Sequence, residues 1–216
     1  MKKRILTGIF LLSITGIVQA TPITLDFEGI GSQASILEFY NGGTDSVGNS
    51  GTDYGVSFGS NTLALKESDP QANFSGEPSA ETAMFFLTGS AVLDFAQGFD
   101  TGFSFYYSTT TFAGTVNVYD GLAATGNLLG SISINALGVG PDVLNPFSNW
   151  VIGSLGFTGI AKSIDFGGTV NQVGYDNVTF GSVNPNLPSR PVPSPGSLAL
   201  LCLGLAGLGY SRKKVS

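Results

Sequence analysis

The sequence predicts an all-β protein, an antiparallel β-sandwich of the jelly-roll kind, with a hydrophobic helix at each end of the chain. Short runs in which apolar and polar residues alternate recur through the middle of the chain, which is the pattern of half-buried strands. Gly, Ser, Thr and Asn separate these runs, and no part of the middle supports a long amphipathic helix. The spacing, one strand in roughly every 10–15 residues, is typical of sandwiches and jelly rolls.

The predicted strands lie between clear turn signals. Turns are expected at residues 41–43, 120–121, 125–127 and 167–168, where Gly follows Asn, Asp, Thr or another Gly. The domain that contains them is assigned to residues 21–182, and a Pro/Ser/Asn-rich linker to residues 183–191. The predicted strands are 23–28, 84–87, 103–107, 116–118, 132–134, 164–166 and 173–180.

The first twenty residues have the layout of a secretory signal peptide. A basic start, Lys2-Lys3-Arg4, precedes the uncharged apolar run 5–18, and Ala20 closes a site with small or compact residues. We therefore expect signal peptidase to cleave after Ala20. The alternative is an uncleaved membrane anchor, but an apolar run of about 14 residues is short of the roughly 20 that a stable span needs.

The C-terminal end has a second hydrophobic segment. Residues 197–210 form a predicted transmembrane helix, and Arg212, Lys213 and Lys214 follow it. Its apolar part, at about 1.5 Å per residue, reaches roughly 20 Å, whereas the hydrocarbon core is about 30 Å thick. Basic clusters remain on the cytoplasmic side, so both ends of the chain stay inside and the middle is delivered across the membrane.

This C-terminal order of motifs resembles the PEP-CTERM sorting domain. Val192-Pro193-Ser194-Pro195 leads into a helix with the Gly-Leu-x-Gly-Leu core at 204–208, and the basic cluster ends the chain. Ser194 stands where that family usually has Glu. The resemblance covers 192–216 and implies processing by an exosortase, a Gram-negative host that makes exopolysaccharide, and transfer from a transient inner-membrane anchor to the cell envelope or matrix. The alternative is an ordinary C-terminal anchor.

Charge and residue usage exclude several classes of protein. Between residues 21 and 190 the chain has fifteen acidic and three basic side chains, a net charge of −12, which argues against nucleic acid as a partner. The chain has no His, and its single Cys, Cys202, lies in the C-terminal helix. His-dependent triads, His-ligated zinc and disulfides within the domain are therefore excluded.

Two further segments resemble carbohydrate-binding and lectin-like sandwiches. They are residues 116–134, with Tyr-Asp-Gly and Gly-Asn around a loop, and residues 166–180. Modules of that class commonly have a structural calcium ion between their first and last strands. Calcium takes carboxylate and amide oxygens, so the resemblance implies a site formed by Asp26, Glu28, Asp176 and Asn177. The alternative is that Asp26 and Glu28, two apart on one predicted strand, form its solvent face.

Other candidate sites have simpler explanations. An acidic, Asn-rich stretch (Asn41, Asp45, Asn49, Asp53) is either a second cation site or a solvated loop. Glu77 and Glu81, or Asp26 and Glu28, could form the carboxylate pair of a glycoside hydrolase. Asp100-Thr101-Gly102 matches half of an aspartic-protease signature, for which a turn is the better explanation. Tyr106 and Trp150 are candidate sugar-stacking rings, although a lone Trp is also a typical core residue.

Three functional hypotheses follow from these patterns. The first is a non-enzymatic cell-surface or extracellular-matrix protein, sorted by an exosortase-type system and associated with exopolysaccharide. The second is a calcium-stabilised carbohydrate-binding module with a specific glycan site. The third is a secreted glycoside hydrolase, which the lack of His in the chain, the lack of Cys in the domain and the absence of a convergent catalytic set make the weakest.

Overall fold

The computed structural model describes residues 21–186. The signal peptide with its cleavage residue Ala20, the predicted transmembrane helix and the sorting segment 192–216 lie outside the described residues. No helix within 21–186 is long and apolar enough to cross a membrane. The strands are β1 (Ile23–Leu25), β2 (Val56–Phe58), β3 (Thr62–Lys66), β4 (Thr82–Phe86), β5 (Ala91–Phe99), β6 (Gly102–Thr109), β7 (Gly114–Tyr119), β8 (Leu128–Ile134), β9 (Val151–Gly156), β10 (Ala161–Phe166) and β11 (Val173–Phe180).

The strands form two antiparallel sheets. The first sheet has the order β3-β4-β11-β6-β9, and β1 also pairs with β11; the second sheet has the order β2-β5-β10-β7-β8. From β4 to β11 the chain changes sheet at every connection except the β7–β8 hairpin, as in a jelly roll. The predicted antiparallel β-sandwich is therefore confirmed.

The space between the sheets is filled mainly by aromatic side chains. Alternate residues of β7 and β8 point inward, as the period of two in the sequence predicts. Each fully buried ring contributes roughly 1.5–3 kcal/mol through removal of apolar surface from water. The largest aromatic side chains with almost no exposure are Phe27, Phe86, Phe103, Phe105, Phe166, Tyr175 and Phe180.

The first and last strands are neighbours, as expected. Ile23 pairs with Phe180 and Leu25 with Val178. The predicted first strand is too long, however, because β1 ends at Leu25. Phe27 has a φ of +62°, which turns the chain and buries its ring, and the Tyr40 hydroxyl accepts a 2.8 Å hydrogen bond from its N–H. The prediction that Asp26 and Glu28 share one face of a strand is wrong for this reason.

The chain after β11 stays in contact with the first sheet. The N–H of Gly181 donates to the Gly102 carbonyl oxygen at 2.9 Å, and the Ser104 hydroxyl donates to the Ser182 carbonyl oxygen at 3.0 Å. Further on, the Tyr106 hydroxyl donates to Asn186 Oδ1 at 2.7 Å. The predicted linker therefore begins as a segment bound to β6, and its part beyond residue 186 lies outside the described residues.

A second, small apolar cluster covers part of the outer face of the first sheet. Phe74 and Phe147 come from two connections that meet in a parallel bridge, and Trp150 packs against them. A side chain at Gly174 on β11 would place its Cβ 3.1 Å from Trp150 Cη2, so glycine is what allows the indole to lie so close to the strand. This cluster leaves the outer faces of β3 and β4 only partly covered.

Candidate functional site

The carboxylate of Glu28 is bound by the start of β4. Its Oε1 accepts hydrogen bonds from the N–H groups of Glu81 and Thr82, both at 2.9 Å, and its Oε2 accepts one from the Thr82 hydroxyl at 3.2 Å. Both oxygens therefore already have donors from the protein itself. The arrangement ties the turn after β1 to β4.

Asp176 lies on β11 and is fully buried. It accepts hydrogen bonds from Ser79 N–H at 2.7 Å, the Ser79 hydroxyl at 2.6 Å and Asn177 N–H at 2.6 Å. Burial raises the pKa of the carboxyl to about 6, and these hydrogen bonds oppose the rise. Asn177 has a φ of +49° and lies at an irregularity in the pairing of β11 with β6. Asn tolerates this left-handed backbone conformation better than most residues.

Glu77 is the third carboxyl group of this region. Both of its oxygens are buried and have no hydrogen-bond partner among residues 21–186. Burial raises the pKa of Glu77 to about 7, and the negative charges of Glu67, Asp176 and Glu28 add to the rise. Sequence reasoning paired Glu77 with Glu81, but Glu81 instead forms a partly exposed 3.1 Å ion pair with Lys66.

The three acidic residues predicted to bind calcium all accept hydrogen bonds from the chain itself. Asp26 is exposed, and its Oδ1 accepts the N–H of Glu28 at 3.2 Å, while the other carboxylates are bound as described. Within 21–186, no group of three or more His, Cys, Asp or Glu side chains is placed to hold a metal ion. Calcium binding stays a prediction.

The acidic, Asn-rich stretch is organised by Asp45. This residue accepts hydrogen bonds from the N–H groups of Gly31, Val47 and Asn49, each at 2.9 Å, and from the Asn49 side-chain amide at 2.8 Å. Burial alone would raise the pKa of Asp45, but these donors outweigh it and lower the pKa. Asp45 is thus a structural residue that holds the 45–49 loop together.

The Asp100-Thr101-Gly102 triplet is the turn between β5 and β6. Thr101 has a φ of +68°, and the N–H of Gly102 donates to the Asp100 carbonyl oxygen at 2.8 Å. A Cβ on Gly102 would lie 2.9 Å from Val183 Cγ1. The turn therefore explains the triplet, in agreement with the preferred interpretation of the sequence.

The two predicted sugar-stacking rings have different surroundings. The Tyr106 hydroxyl is engaged by Asn186, and its ring is only partly exposed. The Trp150 Nε1–H donates to the Ser75 carbonyl oxygen at 3.1 Å, and its ring meets Phe74 edge-to-face with centroids 6.3 Å apart. Both rings thus have partners within the chain, and sugar stacking on them stays a prediction.

The outer faces of β3 and β4 form the floor of a groove that the sequence reasoning did not find. A cavity of about 300 Å³ lies there, and a smaller one of about 40 Å³ continues from it and is lined in part by Phe74 and Phe147. The two cavities share Leu65, Phe85 and Asn171, so they form one groove. The larger cavity is lined by Gln33, Leu63, Leu65, Gln71, Phe85, Leu87 and Asn171.

One sequence signal could have indicated this groove. An outward-facing position of a strand in a sandwich is usually polar, yet Leu63 and Leu65 alternate with the buried Thr62 and Ala64 on β3. The polar residues of the rim come from connections far apart in sequence, between 33 and 171. Only the sheet order brings these polar residues together, so composition and spacing could indicate the apolar floor but not the rim.

Comparisons with known proteins give the following similarities. No curated protein matches the chain in sequence. A family 6 carbohydrate-binding module is similar in structure at 17% identity and a TM-score of 0.37, over 59% of this chain and 87% of that one. CsCBM6-3 from Clostridium stercorarium, in complex with cellobiose, is similar at 18% identity and a TM-score of 0.34, over 54% of this chain and 90% of that one.

A third similar structure belongs to a much longer chain. It is a glycoside hydrolase family 43 arabinoxylan arabinofuranohydrolase from Bacillus subtilis, in complex with cellotetraose, at 20% identity and a TM-score of 0.36. The match covers 56% of this chain but only 24% of that one.

The C-terminal match is of a different kind. Residues 191–213 match the PEP-CTERM protein-sorting motif, in agreement with the segment 192–216 expected from Pro193, Pro195 and the basic cluster at 212–214. The motif implies export, processing by an exosortase-type enzyme and sorting to the cell surface. This chain therefore carries a PEP-CTERM protein-sorting motif behind an antiparallel β-sandwich domain.

Proposed function

We propose that this chain is a non-enzymatic protein of the cell surface or extracellular matrix, processed by an exosortase-type enzyme and associated with exopolysaccharide. The observation that carries the proposal is the sorting motif at residues 191–213. The strong negative charge of the domain supports it, because such a surface favours solubility outside the cell and disfavours nucleic acid or anionic lipid as partners. In this proposal the inner-membrane anchor exists only until the tail is removed.

The proposed non-enzymatic role is favoured by the surroundings of two carboxyl groups and of the groove. A glycoside hydrolase needs two carboxyl groups that face one cleft. Glu28 and Asp176 accept hydrogen bonds from the chain itself, and the residues that line the groove on β3 and β4 are uncharged. Release of reducing sugar from a neutral polysaccharide by the wild-type protein would contradict this part of the proposal.

The sorting step is tested by removing the basic cluster. Substitution of Arg212, Lys213 and Lys214 by Gln in an exosortase-containing host should abolish processing, because the cluster keeps the end of the chain on the cytoplasmic side. The control replaces Lys66 and Lys162 in the domain and should be processed normally. Processing of the triple variant at the wild-type rate would contradict an exosortase-type mechanism.

Association with exopolysaccharide is tested separately. In the wild-type host the processed protein should co-sediment with the matrix, and in a host that lacks polysaccharide synthesis it should appear free in the medium. An equal distribution in the two hosts would overturn the association and leave the sorting step intact. The second candidate function, a calcium-stabilised carbohydrate-binding module, rests on the predicted residues Asp26, Glu28, Asp176 and Asn177 and requires the calcium test described in the Discussion.

A further inference from the structure

The groove on the first sheet has an apolar floor. Leu63 and Leu65 of β3 and Phe85 of β4 lie half-buried, and Leu87, just after β4, is 50% exposed. Leu65 packs against the Phe74–Phe147 cluster, whereas Leu63, Phe85 and Leu87 belong to neither apolar cluster of residues 21–186, which is unusual for the outward face of a sheet. Flat or branched apolar surface of this kind complements the C–H faces of pyranose rings.

The rim of the groove consists of side-chain amides. Gln71, Asn73 and Asn171 are exposed, and their amides form no hydrogen bond with any residue in 21–186. Gln33 donates from Nε2 to the two carboxylate oxygens of Asp69 at 3.0 and 3.2 Å, and these contacts do not use its side-chain carbonyl oxygen. Each amide offers both donors and an acceptor. Sugar hydroxyl groups both donate and accept hydrogen bonds, so side-chain amides can bind them in either role.

The backbone fixes one side of the rim. Asn171 has a φ of +56°, a conformation that Asn tolerates better than most residues, and its N–H donates to the Phe86 carbonyl oxygen at 2.8 Å. The residue is therefore held against the end of β4. Because the backbone of Asn171 is fixed, a ligand that binds its side-chain amide has to order only the side chain, which lowers the entropic cost of binding.

The groove is also the uncharged part of an acidic domain. None of the residues that line its two cavities is charged, although the chain between residues 21 and 190 has a net charge of −12. An anionic ligand would be repelled by the surrounding field, and a cationic one would find no partner in the groove. The volume of about 300 Å³ lies at the lower end of the range of small-ligand sites.

We propose that this groove, with Leu63, Leu65, Phe85 and Leu87 as floor and Gln71, Asn73 and Asn171 as rim, binds an uncharged stretch of a polysaccharide chain. The inference rests on the proposed association with exopolysaccharide and names its site. The ligand lies with ring C–H faces on the floor and with hydroxyl groups on the amides. Because a groove of about 300 Å³ contacts only a short stretch of the polysaccharide, binding at this single site is weak and reversible.

The test uses the full-length chain in a detergent without a sugar headgroup, so that the detergent does not compete for the groove. Calorimetry would measure binding of four neutral tetrasaccharides (cello-, xylo-, manno- and laminaritetraose) and of the acidic tetragalacturonate. We expect binding of at least one neutral tetrasaccharide and none of the acidic one. Leu87→Gln and Gln71→Ala should each weaken binding about threefold to tenfold, the effect of one lost apolar contact or hydrogen bond.

Matched controls separate the groove from general surface effects. Leu128→Gln changes a leucine on the second sheet that is 54% exposed, close to the 50% of Leu87, and Gln97→Ala changes an exposed glutamine of β5. Both controls should leave binding unchanged. All four positions are exposed, so folding should be preserved, and the melting temperature verifies this for each variant.

Four outcomes would overturn the proposal. They are no binding of any neutral tetrasaccharide by the wild type, equal binding by the groove variants and the controls, preferential binding of tetragalacturonate, and self-association that the groove variants alone abolish. The last would show a second copy of the chain as the occupant. Each of these outcomes would overturn the groove but not the proposed function, which fails instead if the wild-type protein does not co-sediment with the matrix.

Discussion

Ser79 binds the carboxylate of Asp176 twice, although the two residues are 97 positions apart in the chain. The Ser79 hydroxyl lies 2.6 Å from Asp176 Oδ1 and 3.0 Å from the carbonyl oxygen of Asp26. A hydroxyl has one proton, so with Asp176 ionised it serves only one of the two acceptors fully. This residue therefore joins the turn after β1, the segment before β4 and the central strand β11.

Ser79→Ala should lower the free energy of unfolding by about 1–3 kcal/mol, because a buried carboxyl group loses a donor. Urea unfolding monitored by Trp150 fluorescence measures the change. Ser133→Ala, at an exposed position of β8 whose hydroxyl forms no hydrogen bond with any of residues 21–186, is the control and should change it by less than about 0.5 kcal/mol. Equal effects at both positions would contradict the role of Ser79.

Glu77→Gln should change how stability depends on pH. The pKa of Glu77 is about 7 in the folded protein, against an ordinary value of 4.5, so the folded state holds the proton more tightly than the unfolded chain. Its contribution to stability is complete below about pH 4.5 and decreases as the pH rises towards about 7. At pH 8 the variant should be more stable than the wild type by about 1–2 kcal/mol, less than the full pKa shift gives because solvent screens this partly exposed group, and at pH 4 equally stable.

The control for this prediction is Glu38→Gln. Glu38 is exposed and accepts a hydrogen bond from the Asn41 amide, which a Gln oxygen can also accept. We expect this variant to follow the wild-type pH profile in urea titrations at pH 4, 6 and 8. A wild-type profile without a decrease between pH 4.5 and 7 would be inconsistent with the buried state of Glu77.

Removal of calcium tests the sequence prediction for Asp26, Glu28, Asp176 and Asn177. If the ion binds there, calcium at about 100 times its Kd adds about 2.7 kcal/mol to the free energy of unfolding, and EDTA lowers the melting temperature. Asp26→Asn should abolish the calcium effect, and Asp100→Asn, at another exposed aspartate, should retain it. A melting temperature that EDTA leaves unchanged would contradict the prediction that a calcium ion stabilises this protein.

Tyr106→Phe should loosen the segment after β11. The change removes the hydrogen bond to Asn186, worth about 0.5–1.5 kcal/mol, and should increase the open population of that segment about twofold to tenfold. Thermolysin cleavage next to Val183, followed by mass spectrometry, measures the opening. Tyr119→Phe on β7, where no hydrogen bond of the hydroxyl is observed, should leave the rate unchanged; a rise of the same size there would contradict the role of Tyr106.

The sequence predicted the features that depend on local pattern. Alternation at 116–118 of β7, 132–134 of β8 and 164–166 of β10 follows from burial of one face, and the sorting motif follows from the order of its three parts. The adjacency of the first and last strands was also correct. Phe27 shows where local pattern fails, because its apolar side chain fits a strand but its positive φ ends the strand two residues earlier.

The site could not be predicted for a different physical reason. The groove and the Ser79–Asp176 contact depend on which strands are neighbours in the first sheet. The order β3-β4-β11-β6-β9 places residues 33, 85 and 171 around one cavity. Turn residues and alternation specify individual strands but not this order, and an amide such as Asn171 is indistinguishable in sequence from any other loop residue.

The position of β11 in the middle of the first sheet has a consequence for export. Because β1, β4 and β6 all pair with this last strand, the sheet has no centre until residue 180 has left the translocation channel. The sandwich therefore closes only when the residues up to 180 are together with β1, β4 and β6 on one side of the membrane.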